Sequence, residues 1–153
     1  MKSTKNKLLR ISSILAFLGF IDSIYLTVIH YINIAPVCNI TTQCEMILTS
    51  RFSAIGPIPL ALVGVLYYLT FTILSIYLTF VFNKKVFQAI FIITTLGFIV
   101  SVLLVMIQAF VLGAFCQYCL LSETISAILF FLVLKIRKTE KLVGKSQKLE
   151  VRS

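Results

Sequence analysis

The chain has 153 residues, 59% of them apolar and only 12% charged, with a mean hydropathy of +1.05. That excludes an ordinary soluble domain and leaves room for one membrane domain with short tails. The net charge of +9 comes from 14 Lys and Arg residues that gather at the chain ends and in one tight turn, so they read as basic flanks of membrane spans and not as a nucleic-acid surface.

Four stretches are long and apolar enough to cross a hydrocarbon core of about 30 Å, which takes roughly 20 residues of helix. The first, 8–32, opens behind Lys2, Lys5, Lys7 and Arg10 like a secretion signal. Its apolar run is too long for one and no small-residue cleavage site follows, so it is expected to persist as a span. In the loop 33–56, Thr42-Gln43-Cys44-Glu45 fits a capping box, which predicts a short helix with Cys44 in its first turn. Met46, Ile47, Leu48 and Phe52 make that helix apolar enough to lie over the bundle at the interface. The second span, 58–82, has Pro57 and Pro59 as start signals and Gly64 as a close helix contact. The turn Asn83-Lys84-Lys85 leads into the third, 86–112, and the turn from Gly113 to Cys116 into the fourth, 117–136, with a basic tail at 137–153.

No Asp, Glu, Lys or Arg occurs between Phe52 and Asn83, or between Val86 and Ser122. Backbone groups inside lipid must be paired within their own segment, so these runs are helices. The expected fold is an all-α integral membrane protein, a bundle of four transmembrane helices in one domain over 1–153, with an outer loop carrying a short helix.

Positive charge predicts the topology. Lys2, Lys5, Lys7 and Arg10 precede the first span, Lys84 and Lys85 sit between the second and third, and Lys135, Arg137, Lys138, Lys141, Lys145 and Lys148 follow or close the fourth. The opposite side has only Arg51. Both termini are therefore expected in the cytoplasm, with Cys38, Cys44, Cys116 and Cys119 all on the extracytoplasmic side, where disulfides form and persist.

Cys116-Gln117-Tyr118-Cys119 is a C-x-x-C at a helix start, where exposed N–H groups favour the thiolate. Cys38 and Cys44 lie in a loop long enough to fold over the helix ends. Three readings compete for these thiols: static disulfides that staple the loop, a four-thiolate zinc site, and an electron relay by thiol-disulfide exchange. A pair at a lipid boundary argues against zinc, and two pairs on one face favour the relay.

The order Phe17-Leu18-Gly19-Phe20-Ile21-Asp22-Ser23-Ile24-Tyr25-Leu26-Thr27, then Cys38 and Cys44, then Ser50, then Gly56-Pro57-Ile58-Pro59 with Gly64 and Tyr67, then Cys116-Gln117-Tyr118-Cys119, resembles the vitamin K epoxide reductase family over about 8–136. The five-residue gap between Cys38 and Cys44 looks like its microbial branch. The resemblance implies a thiol:quinone oxidoreductase. Cys116/Cys119 would be the catalytic pair, Cys119 reacting with a membrane quinone (ubiquinone, menaquinone or a relative) and Cys116 exchanging with the loop. Cys38 and Cys44 would be the shuttle pair, meeting a thioredoxin-like extracytoplasmic protein, and Ser50 matches a loop Ser or Thr that helps hold the loop or the site. Some microbial relatives carry a fused thioredoxin-like domain and this sequence has none, so the partner is expected as a separate chain. Animal members carry an Asn near the quinone where this sequence has Leu60, next to Pro59, which argues against epoxide chemistry.

Polar residues within the spans complete the list. Glu123 follows Cys119 by four residues, one turn along the same face. An acid at that depth is a functional candidate, here for the quinone pocket, against a neutral acid bonded to a neighbouring helix. Asp22 is expected to serve helix–helix hydrogen bonding, and His30 to snorkel at the outer boundary. Two other functions stay open: reduction of a quinone or its epoxide for its own sake, and a structural four-span protein braced by disulfides.

Overall fold

The structure, a computed structural model, describes residues 2–32, 54–55 and 58–150. Cys38, Cys44, Ser50 and the short helix expected at Cys44 lie outside the described residues. In chain order come α1 (Lys2–Ile32), the two-residue strands β1 (Ala54–Ile55) and β2 (Ile58–Pro59), α2 (Leu60–Phe80), α3 (Lys84–Met106) with a π-helical continuation (Ile107–Leu112), and α4 (Gln117–Glu150). Thr4–Ile32, Leu60–Phe80, Lys84–Leu112 and Gln117–Glu140 are each long and apolar enough to cross a membrane. This is a multi-pass membrane protein.

Helix α1 begins at Lys2 and not at Leu8, α2 ends at Phe80 and α3 begins at Lys84, and three further differences from the sequence reading have a physical reason. Ile58 and Pro59 belong not to the second helix but to β2, paired antiparallel with Ile55 and Ala54. Pro59 is extended, with φ −64° and ψ 138°; its ring suits an entry to a helix, and its missing N–H is no loss there. The fourth helix does not end at 136 but continues to Glu150, because the tail is rich in Lys, Glu, Gln and Leu, all good helix formers. The last turns of the third span are π-helical, which no apolar pattern signals. They end at Gly113, whose φ of 60° is left-handed and easily held only by glycine.

Helix α1 packs mainly on α2 and also on α4, α3 packs on α4, and α2 and α3 meet more sparsely. The core combines Leu9 and Ala16 of α1, Tyr68, Phe71 and Leu78 of α2, Ile90 of α3, and Ile125, Leu129 and Val133 of α4. Small residues let the helices approach. A Cβ at Gly19 would lie 2.6 Å from the Tyr68 ring, and one at Gly64 3.0 Å from Ser23 Oγ, so Gly64 makes the close contact expected of it. Ser13 donates to Ser75 Oγ at 3.0 Å, and Ser75 to the Leu9 carbonyl at 3.2 Å, stitching α1 to α2 where lipid offers no competing partner. Outward faces carry Ile14, Phe17, Leu18, Leu66, Ile73 and Leu103, all exposed, as lipid contact requires. At the basic end Lys5 pairs with Glu140 at 2.9 Å and lies over the Phe82 ring at 3.1 Å, tying α1 to α4 and to the turn after α2.

Candidate functional site

Cys116 is the residue before α4 and acts as its cap. The Cys119 N–H donates to Cys116 Sγ at 3.5 Å, and the Leu120 N–H to the Cys116 carbonyl at 2.9 Å. Both thiols are free; Cys116 is fully buried and Cys119 half-buried. A hydrogen bond from the Cys119 thiol holds the Cys116 thiol down to about 7, against the opposing effect of burial and helped by the N–H groups of Cys119 and Tyr118. The Asp22 carboxylate works the other way and raises it.

Beside the pair lies a cavity of about 390 Å³ walled by all four helices, within the size range of small-molecule sites. Cys119 is on its wall and Cys116 is not. Pro59, Leu60 and Glu123 line it too, so the structure brings these three sequence candidates to one space with Cys119. Most of the remaining wall is apolar: Leu26, Val63, Ile93, Leu96, Val100 and Leu104 among others. The polar side is built by α2 and α4. Tyr68 Oη donates to the Ser122 carbonyl at 2.6 Å, and Tyr67 Oη lies 3.4 Å from Ser126 Oγ.

Glu123 lies on α4 one turn past Cys119. It faces the cavity, and its Oε1 accepts a 2.7 Å hydrogen bond from Gln108 Nε2 on the π-helical stretch. Its Oε2 is buried with no hydrogen-bond partner among the described residues. Gln108 also accepts the Cys116 backbone N–H at 3.2 Å through Oε1, so one amide spans the cysteine turn and the acid. Asp22 keeps its Oδ2 buried without a hydrogen-bond partner among the described residues, so the bond to a neighbouring helix expected of this residue is not made through that oxygen. His30 is half-buried on the cavity wall, which its position near a span end did not reveal.

The sequence reading missed Gln108 and Tyr68, and it named Tyr67 only as part of the family resemblance, without a role in the site. A signal for Gln108 was present: it is the only polar side chain between Val102 and Phe115, and an amide buried in lipid needs a partner. The tyrosines had no such signal, since rings in spans are usually packing or lipid contact.

The vitamin K epoxide reductase family matches residues 10–134. The chain belongs to the vitamin K epoxide reductase family. A comparison with curated proteins finds no match. The family's enzymes are thiol/quinone oxidoreductases, and this chain is an enzyme of that type, using a quinone. The geometry suits that chemistry: a dithiol with one sulfur on the wall of an apolar cavity, and a carboxyl one turn away along the same helix.

Proposed function

We propose that this chain carries electrons from an extracytoplasmic thioredoxin-like protein through Cys38/Cys44 and then Cys116/Cys119 to a membrane quinone such as ubiquinone or menaquinone, so supporting disulfide formation. In this reading 1–153 acts as one membrane domain. Both termini and the Asn83-Lys84-Lys85 turn are cytoplasmic, and all four cysteines lie outside. The Lys and Arg asymmetry supports that orientation.

The observation that carries the reading is the unequal setting of the two sulfurs, Cys119 on the cavity wall and Cys116 off it. A quinone is flat and largely apolar with hydrogen-bonding oxygens, and the cavity offers apolar walls with Glu123, Ser122 and Tyr67 on one side. Pro59 and Leu60 line the cavity at the entry to α2 and would contact a quinone bound there. A quinone bound there supplies a two-electron acceptor.

Cys119 is the sulfur that reacts with the quinone. Cys116, readily ionised, attacks the Cys119 sulfur and closes the disulfide, and the dithiol gives up two electrons and two protons. Glu123 holds a proton beside the cavity for exchange. The spent disulfide is opened at Cys116 by one shuttle cysteine, while the other shuttle cysteine meets the partner, and Ser50 helps hold the loop that carries them.

Reconstitution with a reduced thioredoxin-like protein and a panel of quinones tests this. Partner-driven quinol formation should be lost in Cys38→Ala and in Cys44→Ala, yet persist when a small dithiol reduces Cys116/Cys119 directly. Unchanged partner-driven turnover in either variant refutes the shuttle.

A further inference from the structure

The geometry points to Gln108 as a positioning residue that makes Glu123 a one-directional proton donor, its acid proton confined to Oε2 and presented to an oxygen of the quinone in the cavity. The inference rests on the quinone reading above and adds the device that aims the acid.

A side-chain amide has one accepting and one donating end, and its orientation is set by what each end meets. At Gln108 the choice is forced. The Cys116 backbone N–H can only donate, so the atom 3.2 Å from it must be the carbonyl oxygen Oε1. The other end, Nε2, must then donate, and it meets Glu123 Oε1 at 2.7 Å. Glu123 Oε1 is thus an acceptor in either protonation state. Whenever the carboxyl holds a proton, that proton sits on Oε2. This oxygen is buried and has no hydrogen-bond partner among the described residues, in a side chain only 7% exposed on the cavity wall. A buried unpaired polar atom costs free energy until something pairs with it, and the cavity is where a ligand oxygen can do so.

The backbone holds the amide in place. Gln108 is 4% exposed, and its carbonyl accepts the N–H of Gly113 across the π turn and that of Ala114 at 3.2 Å. Pi-helical turns inside α-helices recur at functional sites, and here the wider turn carries a side chain that touches both the cysteine turn and the acid.

In the transfer, the Glu123 Oε2–H bond breaks and an O–H bond forms on one quinone oxygen, leaving a carboxylate whose Oε1 still accepts from Gln108. Oxidation of Cys116 and Cys119 to the disulfide supplies both electrons and releases two protons. One of these restores Glu123 and the other completes the quinol.

The test combines infrared spectroscopy with kinetics. In the wild-type protein at acidic pH, the carboxylic C=O band of Glu123 is identified by its loss in Glu123→Gln. Gln108→Met, similar in length but without the amide, should move that band to higher frequency, because the carbonyl Oε1 loses its donor. It should also lower kcat about tenfold, the factor typical of one buried hydrogen bond, with KM for quinone within roughly twofold because the cavity wall keeps its shape. An unmoved band, or an unchanged kcat, overturns the inference. Should Gln108→Met fail to fold, Glu123→Gln still decides: it retains the bond from Gln108 but has no acid proton, so kcat should fall at least about tenfold, and a normal kcat refutes the role. Failure of the quinone reading would look different, as wild-type protein without quinone turnover but with the band shift intact.

Discussion

Tyr25 of α1 rests on Tyr118, one of the two residues between the paired cysteines, with ring centroids 5.2 Å apart and planes inclined by 50°. The first helix therefore braces the turn that carries the thiols. Asp22, three residues earlier, lies about one helical turn away, which accounts for its influence on Cys116.

Cys119→Ala should abolish quinone reduction, by at least roughly a thousandfold as for loss of a reacting nucleophile. Cys116→Ala should stop turnover to a similar extent, because Cys119 can then react with quinone but never close the disulfide. Stopped-flow absorbance of quinol formation checks both. Normal turnover in either variant removes the assignment of roles.

The closing step should depend on pH with a known sign. Cys116 attacks as a thiolate, and in the free dithiol, where the Cys119 thiol donates to it, its pKa is lowered to about 7, so the pair enters the reaction as two thiols below that pH and with Cys116 ionised above it. Single-turnover disulfide formation should rise as pH increases through about 7 and then level off. A rate that is flat across neutrality, or falls with rising pH, argues against Cys116 as the attacking sulfur.

Asp22→Asn should move that profile to lower pH. The carboxylate opposes ionisation of Cys116, and removing its charge lets the thiol ionise more easily. The comparison needs only the same single-turnover assay, and a profile that stays in place would show that Asp22 carries no charge felt by the pair.

Two glycine substitutions should separate stability from binding. A Cβ at Gly19 meets Tyr68 at 2.6 Å, and Tyr68 is buried and bonded to Ser122, so it cannot yield. Gly19→Ala should cost about 1–3 kcal/mol, the usual range for overpacking, measured by unfolding in detergent. A Cβ at Gly97 meets Tyr67 at the same distance, but Tyr67, which lines the cavity as Tyr68 does, is less buried and held by a longer contact of 3.4 Å to Ser126, so it can swing into the cavity. Gly97→Ala should leave stability nearly unchanged and raise KM for quinone several-fold. The opposite ranking would mean that Tyr67 is held more tightly than its surroundings imply.

Much of the scaffold was legible from residues alone. Long apolar runs without charge dictate membrane helices, and four emerged with their centres where hydropathy put them. Their ends were less legible. Pro59 reads as a helix start yet also closes a two-residue strand, and the polar tail after Ile136 has no lipid signature although its residues favour helix. Within the site, the step of four from Cys119 to Glu123 put both on one face, and both line the cavity. The link from Glu123 to the cysteine turn was hidden, because it runs through Gln108 on another helix. Local spacing reports neighbours on one element, while contacts between elements depend on how they pack.

The π-helical stretch Ile107–Leu112 also sets the chain's tolerance to indels. Such a turn carries one residue more than an α-turn needs, so deleting a single residue there would restore regular winding. Because the wide turn absorbs that residue, the segments on either side would keep nearly the same angular relation, whereas the same deletion in the regular winding of α3 would rotate everything before it by about 100°, the angular step of one helical residue, relative to the cysteines that follow. An allele shortened in that regular part would keep its hydropathy and all four sulfurs and still lose the alignment between the third helix and the redox turn, while one shortened in the wide turn would keep it.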